Sequence, residues 1–181
     1  MKTPLFLFIP FLLAFHAAYA SDAENQASSF ANIYTTTCLK HLTNLDVLRS
    51  KLKNAPKLPP EKAAYFLSGN AGDAWPVPDK FGTFVLALPS NKNICMVYAR
   101  KADAATAEKL FTSLVAQAPS PLTSKQAINQ TRQTTANGLA HKLSYEWSVP
   151  NAKNKMLFTI TTSNYDAAQL QVLGSAAMVK N

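Results

Sequence analysis

Residues 83–89 read TFVLALP and residues 94–102 read ICMVYARKA, with only Ser-Asn-Lys-Asn between them. Two short apolar runs, rich in β-branched and aromatic residues and joined by a polar turn, form the pattern of paired strands. The first run is apolar almost without interruption, which predicts a well-buried strand. A chain holding such a pair must build covering layers around it. The second run also contains Cys95, one of only two cysteines. Its role depends on the compartment the chain reaches.

The first twenty residues, MKTPLFLFIPFLLAFHAAYA, bear on that question. Lys2 gives a positive start, residues 5–15 are apolar apart from Pro10, and Ala18-Tyr19-Ala20 places small residues where a signal peptidase reads them. This predicts a secretory signal, residues 1–20, cleaved after Ala20. The run is shorter than the roughly 20 residues a membrane-spanning helix needs. Residues 21–28, SDAENQAS, are expected to be a flexible N-terminus, and residues 29–181 a single domain. Export places Cys38 and Cys95 in an oxidising compartment, where two cysteines are expected to pair. A metal role is disfavoured because Cys95 has no second ligand near it. A reactive thiol is disfavoured because Cys95 falls in the middle of a strand.

Residues 29–53 show apolar positions at three- and four-residue steps, predicting a helix with a break near Thr43-Asn44. The prolines of NAPKLPP stop it, and PEKAAYFLSG reads as a short third helix with Pro60 in its first turn. The stretch NAGDAWPVPDKFG is a loop or edge strand, and the buried strand pair follows. Asp103 then caps a helix, AATAEKLFTSLVAQA. Beyond it, residues 126–135 alternate weakly, Asn137-Gly138 signals a hairpin turn, and LAHKLSYEWSVP and KMLFTITTS read as strands. The segment NYDAAQLQVLGSAAMV reads as a closing helix. Shifted by 61 residues, the first half lies on the second, with Pro89 on Pro150 and Lys92 on Lys153. The expected architecture is therefore α+β: an antiparallel sheet of five or six strands from a duplicated strand–strand–helix unit, with helices on one face and an added N-terminal helical layer.

Few residues suggest catalysis. His41 and His141 are the histidines of the expected mature chain, and neither has a second histidine at metal spacing. No G-x-S-x-G and no phosphate-cradling glycine loop is present. Glu146 and Asp166, or His141 with Glu146 and Asp73, could do acid–base work only if the fold united them. No catalytic residue, cofactor or metal is expected, and the chain is read as not an enzyme. Trp75 and Phe81, with Asp73 and Asp79, could form an aromatic binding lip; the alternative is a proline-stiffened connection with Trp75 in the core. Tyr145, Trp147 and Val149 alternate with polar residues, giving one aromatic strand face that packs on helices or stands exposed. Asn129-Gln130-Thr131 matches a glycosylation acceptor, a pattern of little weight if the host is bacterial, as the short signal with its Ala-Tyr-Ala end suggests.

The net charge is +8, and residues 40–62 concentrate it: Lys40, Arg49, Lys51, Lys53, Lys57 and Lys62 oppose only Asp46 and Glu61. An exported basic protein meets acidic partners, so Lys51, Lys53 and Lys57 are candidate contacts, against the alternative that they only solvate a helical face. The lysines are not interleaved with aromatics, which disfavours nucleic acid.

The block from Gly82 to Phe111, a glycine-led apolar strand, a cysteine-bearing strand and then Tyr98-Ala-Arg100-Lys-Ala-Asp-Ala opening a helix, resembles a family of small uncharacterised exported proteins of Gram-negative bacteria. The resemblance implies export and a single domain, and no activity. The function expected is a non-catalytic periplasmic or secreted protein that binds another protein, such as an inhibitor or an immunity protein against a secreted toxin. The alternative is a module for an envelope polymer or small ligand.

Overall fold

The computed structural model describes residues 20–135, 137–168 and 170–181. The expected signal sequence, Ala20 apart, lies outside the described residues. Among these, no helix is long and apolar enough to cross a membrane.

The segment expected to be flexible is helical. Helix α1 runs Asp22–Tyr34 and opens on a capping box. The Glu24 N–H donates to Ser21 Oγ and the Ser21 N–H donates to the Glu24 carboxylate, so two end donors are satisfied reciprocally. The polar composition concealed a helix start. The helix widens into a π-helical stretch at Thr35–Leu39. There the hydroxyls of Thr35 and Thr36 donate back to the carbonyls of Ala31 and Asn32, each at 2.8 Å, and Thr37 does the same to Ile33. Such back-bonding competes with the regular ladder. The chain breaks at Thr43 and Asn44 as its sequence suggests, with Asn44 capping α2, Leu45–Lys51. Helix α3 is Pro60–Phe66, and α4 is Ala104–Val115. Asp103 caps α4 by accepting the Thr106 N–H at 2.7 Å.

Seven strands form one antiparallel sheet: β1 Gly72–Asp79, β2 Gly82–Pro89, β3 Ile94–Ala99, β4 Thr123–Thr134, β5 Gly138–Ser148, β6 Asn154–Ser163 and β7 Val172–Lys180. Their order is β1-β2-β3-β7-β6-β5-β4. The expected strand count was five or six, and the difference lies at the two ends of the chain pattern. GDAWPVPD is an edge strand, and the expected closing helix is strand β7. The strand pair recurs in both halves, and each hairpin turns on an asparagine of positive φ, Asn91 at 57° and Asn151 at 61°. The helix does not recur, so the duplicated strand–strand–helix unit is not what the structure contains.

The layers also differ from the expectation of helices on one face. Helices α1 and α4 cover one face, packing on Phe84, Leu86, Leu88, Val97, Phe158 and Ile160. Helix α3 lies on the other, where Ala63 and Leu67 meet Ala74, Ala87, Met96 and Tyr98. Cys38, in the π-helical stretch, is bonded to Cys95 on β3, with Cα atoms 5.3 Å apart. Closing this loop of 57 residues stabilises the fold by about 4 kcal/mol on the chain-entropy model.

Strand β7 joins the meander β1-β2-β3 to the meander β6-β5-β4, pairing with β3 on one side and β6 on the other. Its α1-side positions are Val172, Gly174, Ala176 and Met178, small at the centre where α1 crosses. The ring of Phe30 sits directly over Gly174: a Cβ there would meet Phe30 Cζ at 2.6 Å and Tyr34 Cδ2 at 3.3 Å. The Tyr34 hydroxyl donates to the Ser175 carbonyl at 2.8 Å. Burial raises the Tyr34 pKa well above its ordinary value, keeping the phenol a donor. Gly174→Ala is therefore expected to destabilise the protein by about 1–3 kcal/mol through overpacking. Urea unfolding would read this as a lower midpoint with an unchanged slope, and Phe30→Leu in the same chain should recover part of the loss. An unchanged midpoint would show that α1 can lift from β7 at no cost.

Candidate functional site

One end of the sheet gathers the β1–β2 turn, residues 100–103, the β4–β5 turn and the connection 164–171. The opposite end carries the β2–β3 and β5–β6 turns. Of the four large hydrophobic side chains exposed among the described residues, Tyr65, Leu139 and Tyr165 stand at or beside the first end. Tyr165 is held there by close approach to Gly138, whose Cβ position lies 3.0 Å from the tyrosine ring.

On the α3 face of this end is a solvent-open trough of about 390 Å³, bounded by Tyr65, Phe66, Thr83, Val85, Tyr98, Arg100 and Leu170. Helix α3 supplies one wall, Leu170 the other, and β2 and β3 the floor. Phe66 meets Tyr65 and Tyr98 edge-on, both at 5.1 Å between centroids. The Tyr98 hydroxyl donates to the Phe66 carbonyl at 2.7 Å. Burial, with a smaller contribution from Tyr65, pushes the Tyr98 pKa up to about 12, so the floor stays uncharged at neutral pH. Arg100 is exposed at the rim, with no ion pair or hydrogen bond among the described residues. Among the described residues the lining contains no carboxylate.

On the α4 face of the same end, a second cavity of about 280 Å³ holds the most chemical-looking group in the molecule. His141 Nδ1 lies 2.8 Å from Glu108 Oε1, and Nε2 lies 2.9 Å from Asn129 Oδ1. Thr162 Oγ1 donates to the same Glu108 oxygen. Both ring nitrogens thus face oxygen acceptors. The nitrogen a general base would use is covered by Asn129, and the nearby hydroxyl addresses the carboxylate instead of the ring. This arrangement clamps α4, β4, β5 and β6 together. It does not present a hydroxyl nucleophile to the imidazole. His141 and Glu146 stand five residues apart on β5, hence on opposite sheet faces. Glu146 pairs with Lys155 at 2.8 Å. Asp73 is at the far β1 edge, so the acid–base trio considered from the sequence is not assembled. Among the described residues no group of three or more His, Cys, Asp or Glu could hold a metal ion.

The other sequence-derived candidates are distributed as follows. Trp75 is 2 % exposed and belongs to the core, so it does not offer the flat surface of a binding lip. Above it, Lys57 Nζ lies 5.8 Å from the ring centroid and pairs with Asp73 at 2.9 Å. These three residues do come together, as a closed contact at the β1 edge. Asp79 accepts from Ser29 Oγ at 2.7 Å and from the Phe81 N–H at 3.0 Å, tying the β1–β2 turn to α1. Phe81 is half-buried under Lys80, whose Nζ is 4.5 Å from its centroid. Lys51 and Lys53 are exposed at the end of α2. Nearby, His41 has a lowered pKa, through desolvation first and then Lys51 and Lys40. Tyr145 and Trp147 pack against the main core, with Trp147 Nε1 donating to the Val115 carbonyl at 2.7 Å.

Sequence reasoning missed Tyr65, Arg100, Leu139 and Tyr165. A signal existed for one of them: Arg100 follows β3 two positions after Tyr98, the spacing that keeps two side chains on one face. Compared with known proteins, the chain matches no family model and no curated protein sequence.

The Asp79 contacts yield a pH test. The Phe81 N–H first, then the Ser29 hydroxyl, hold its carboxyl below the ordinary value of 3.8. A depressed folded-state pKa gives stability that is present above 3.8 and lost as pH falls through the folded value. Wild type should therefore be more stable than Asp79→Asn by the same margin at pH 7 and pH 5, with the gap closing below pH 3.8. Chemical unfolding at each pH measures it. A gap that persisted at pH 2 would mean the carboxylate charge is not what ties the turn.

Proposed function

We propose that this is a non-catalytic exported protein that acts in the periplasm, or outside the cell, by binding another protein through the loop end of its sheet. The observation that carries the reading is that Tyr65, Leu139 and Tyr165, all exposed, stand at the same end of the sheet as Arg100, which no described carboxylate neutralises. Tyrosine and arginine are enriched at the energetic centres of protein interfaces. The signal-like N-terminus and the disulfide support export. A net charge of +8 suits an acidic partner and speeds encounter with it. An inhibitor or immunity protein facing a secreted toxin needs these properties and no others. The resemblance to small exported proteins of Gram-negative bacteria accords with the same placement.

A second reading has one observation in its favour. A trough of about 390 Å³ falls within the ~300–1,000 Å³ of small-ligand sites, as a module for an envelope polymer or small molecule would require.

The test is affinity capture from a cross-linked envelope extract with residues 21–181 as bait, disulfide intact. Three forms are compared: wild type, Leu139→Ser with Tyr165→Ser, and Lys51→Ser with Lys53→Ser. One dominant protein, retained by wild type and the lysine variant but lost with the loop-end variant, is expected. Loss with the lysine variant instead would move the surface to α2. Retention of glycan and no protein would favour the second reading.

A further inference from the structure

The proposed protein-binding surface contains a recess whose chemistry narrows what can enter it. This inference rests on that functional reading and specifies the contact made at the trough.

Three features restrict the occupant. Its walls, Tyr65, Phe66 and Leu170, are apolar or aromatic, so the inserted group must be apolar to displace water favourably. Its floor is uncharged, because the Tyr98 phenol is committed as a donor to the Phe66 carbonyl. Among the described lining residues the only charge is Arg100, exposed and without a described acidic partner. A guanidinium at the rim of an apolar recess favours a carboxylate, which it can hold through two parallel hydrogen bonds. The trough is also open to solvent. Sites for free small molecules commonly bury 70–90 % or more of the ligand, whereas an open trough suits a side chain delivered by a larger surface.

We infer that the trough between α3 and Leu170 receives an aromatic side chain of the protein partner, with an adjacent acidic residue paired to Arg100. The aromatic ring lies between Tyr65 and Leu170 over Val85 and Tyr98. The acidic neighbour stays at the rim, where its charge keeps partial access to water. The ring supplies apolar burial and the carboxylate supplies orientation, and neither alone accounts for the shape and the charge together.

The test uses residues 21–181 with the disulfide intact and fluorescein-labelled, C-terminally amidated peptides of sequence Gly-Ser-Gly-Trp-Asp-Gly-Ser-Gly. Control peptides replace Asp by Asn or Trp by Ala, and free indole-3-acetate serves as competitor. Fluorescence polarisation at low salt should show saturable binding of the parent peptide. Either control peptide should bind at least about tenfold more weakly, as should the parent peptide to Arg100→Gln. Arg100→Glu should prefer the peptide in which Lys replaces Asp, a reversal that a misfolded variant could not produce. Equal binding of the Asp and Asn peptides, or no binding of any peptide, would overturn the inference. Indole-3-acetate binding as tightly as the peptide would also overturn it, in favour of a small carboxylic acid. Failure here is separable from failure of the broader reading. If the captured envelope protein is still lost with Leu139→Ser and Tyr165→Ser but kept with Arg100→Gln, the loop end binds protein and the trough does not direct it.

Discussion

The fold depends on one close approach, that of helix α1 to strand β7. Phe30 rests on Gly174, and the Tyr34 hydroxyl reaches the Ser175 carbonyl at 2.8 Å. Strand β7 is the seam between two three-stranded meanders, so whatever seats β7 also decides that there is one sheet and not two. Only a residue without a side chain lets an aromatic ring come so near a central strand. Phe30 then stacks with Tyr34 at 6.0 Å, and Tyr34 meets Phe111 of α4 at 5.9 Å. The helical layer and the seam are therefore one packed unit. The Cys38–Cys95 bond anchors the same layer to β3, next to the seam.

With that layer fixed, the two ends of the sheet differ in character. The capping contacts of Asp103, the Ser29–Asp79 hydrogen bond and the Glu108–His141–Asn129 clamp all stiffen the end where α1 and α4 begin. A stiff set of connections can display Tyr65, Leu139, Tyr165 and Arg100 without paying a large ordering cost on binding. Several acids are engaged in internal contacts: Asp73 with Lys57 and Glu146 with Lys155 toward the opposite end of the sheet, and Glu108 with His141 at the loop end. Arg100 stands at the loop end without an ion pair among the described residues.

Much of the architecture was legible because it is local. The β2–β3 hairpin, the Asp103 cap, the Pro60 helix start and the break at Thr43-Asn44 each depend on residues within a few positions. The pairing of Cys38 with Cys95 followed from compartment and count. Strand β7 was not legible. LGSAAMV favours a helix on intrinsic propensity, and its small residues are needed only because α1, some 140 residues earlier, packs there. The helix at 22–28 was hidden by polar composition, although Ser21 and Glu24 spelled its capping box. For the site, the sequence drew attention to Trp75, whose ring is buried, and passed over Arg100 and Tyr65. These become neighbours only when α3 folds onto the back of β2 and β3. The His141 clamp draws on four elements, and no spacing in the chain announces it.

The central claim is that the loop end, and not the opposite end, is the working surface. Site-specific photo-crosslinking in living cells tests it most directly. A benzophenone amino acid would replace Tyr65 or Leu139 at the loop end and Lys92 or Lys153 in the turns of the other end. The account predicts that positions 65 and 139 give the same adduct to one protein and that positions 92 and 153 give none. Adducts from 92 or 153 alone, or from no position at all, would contradict it.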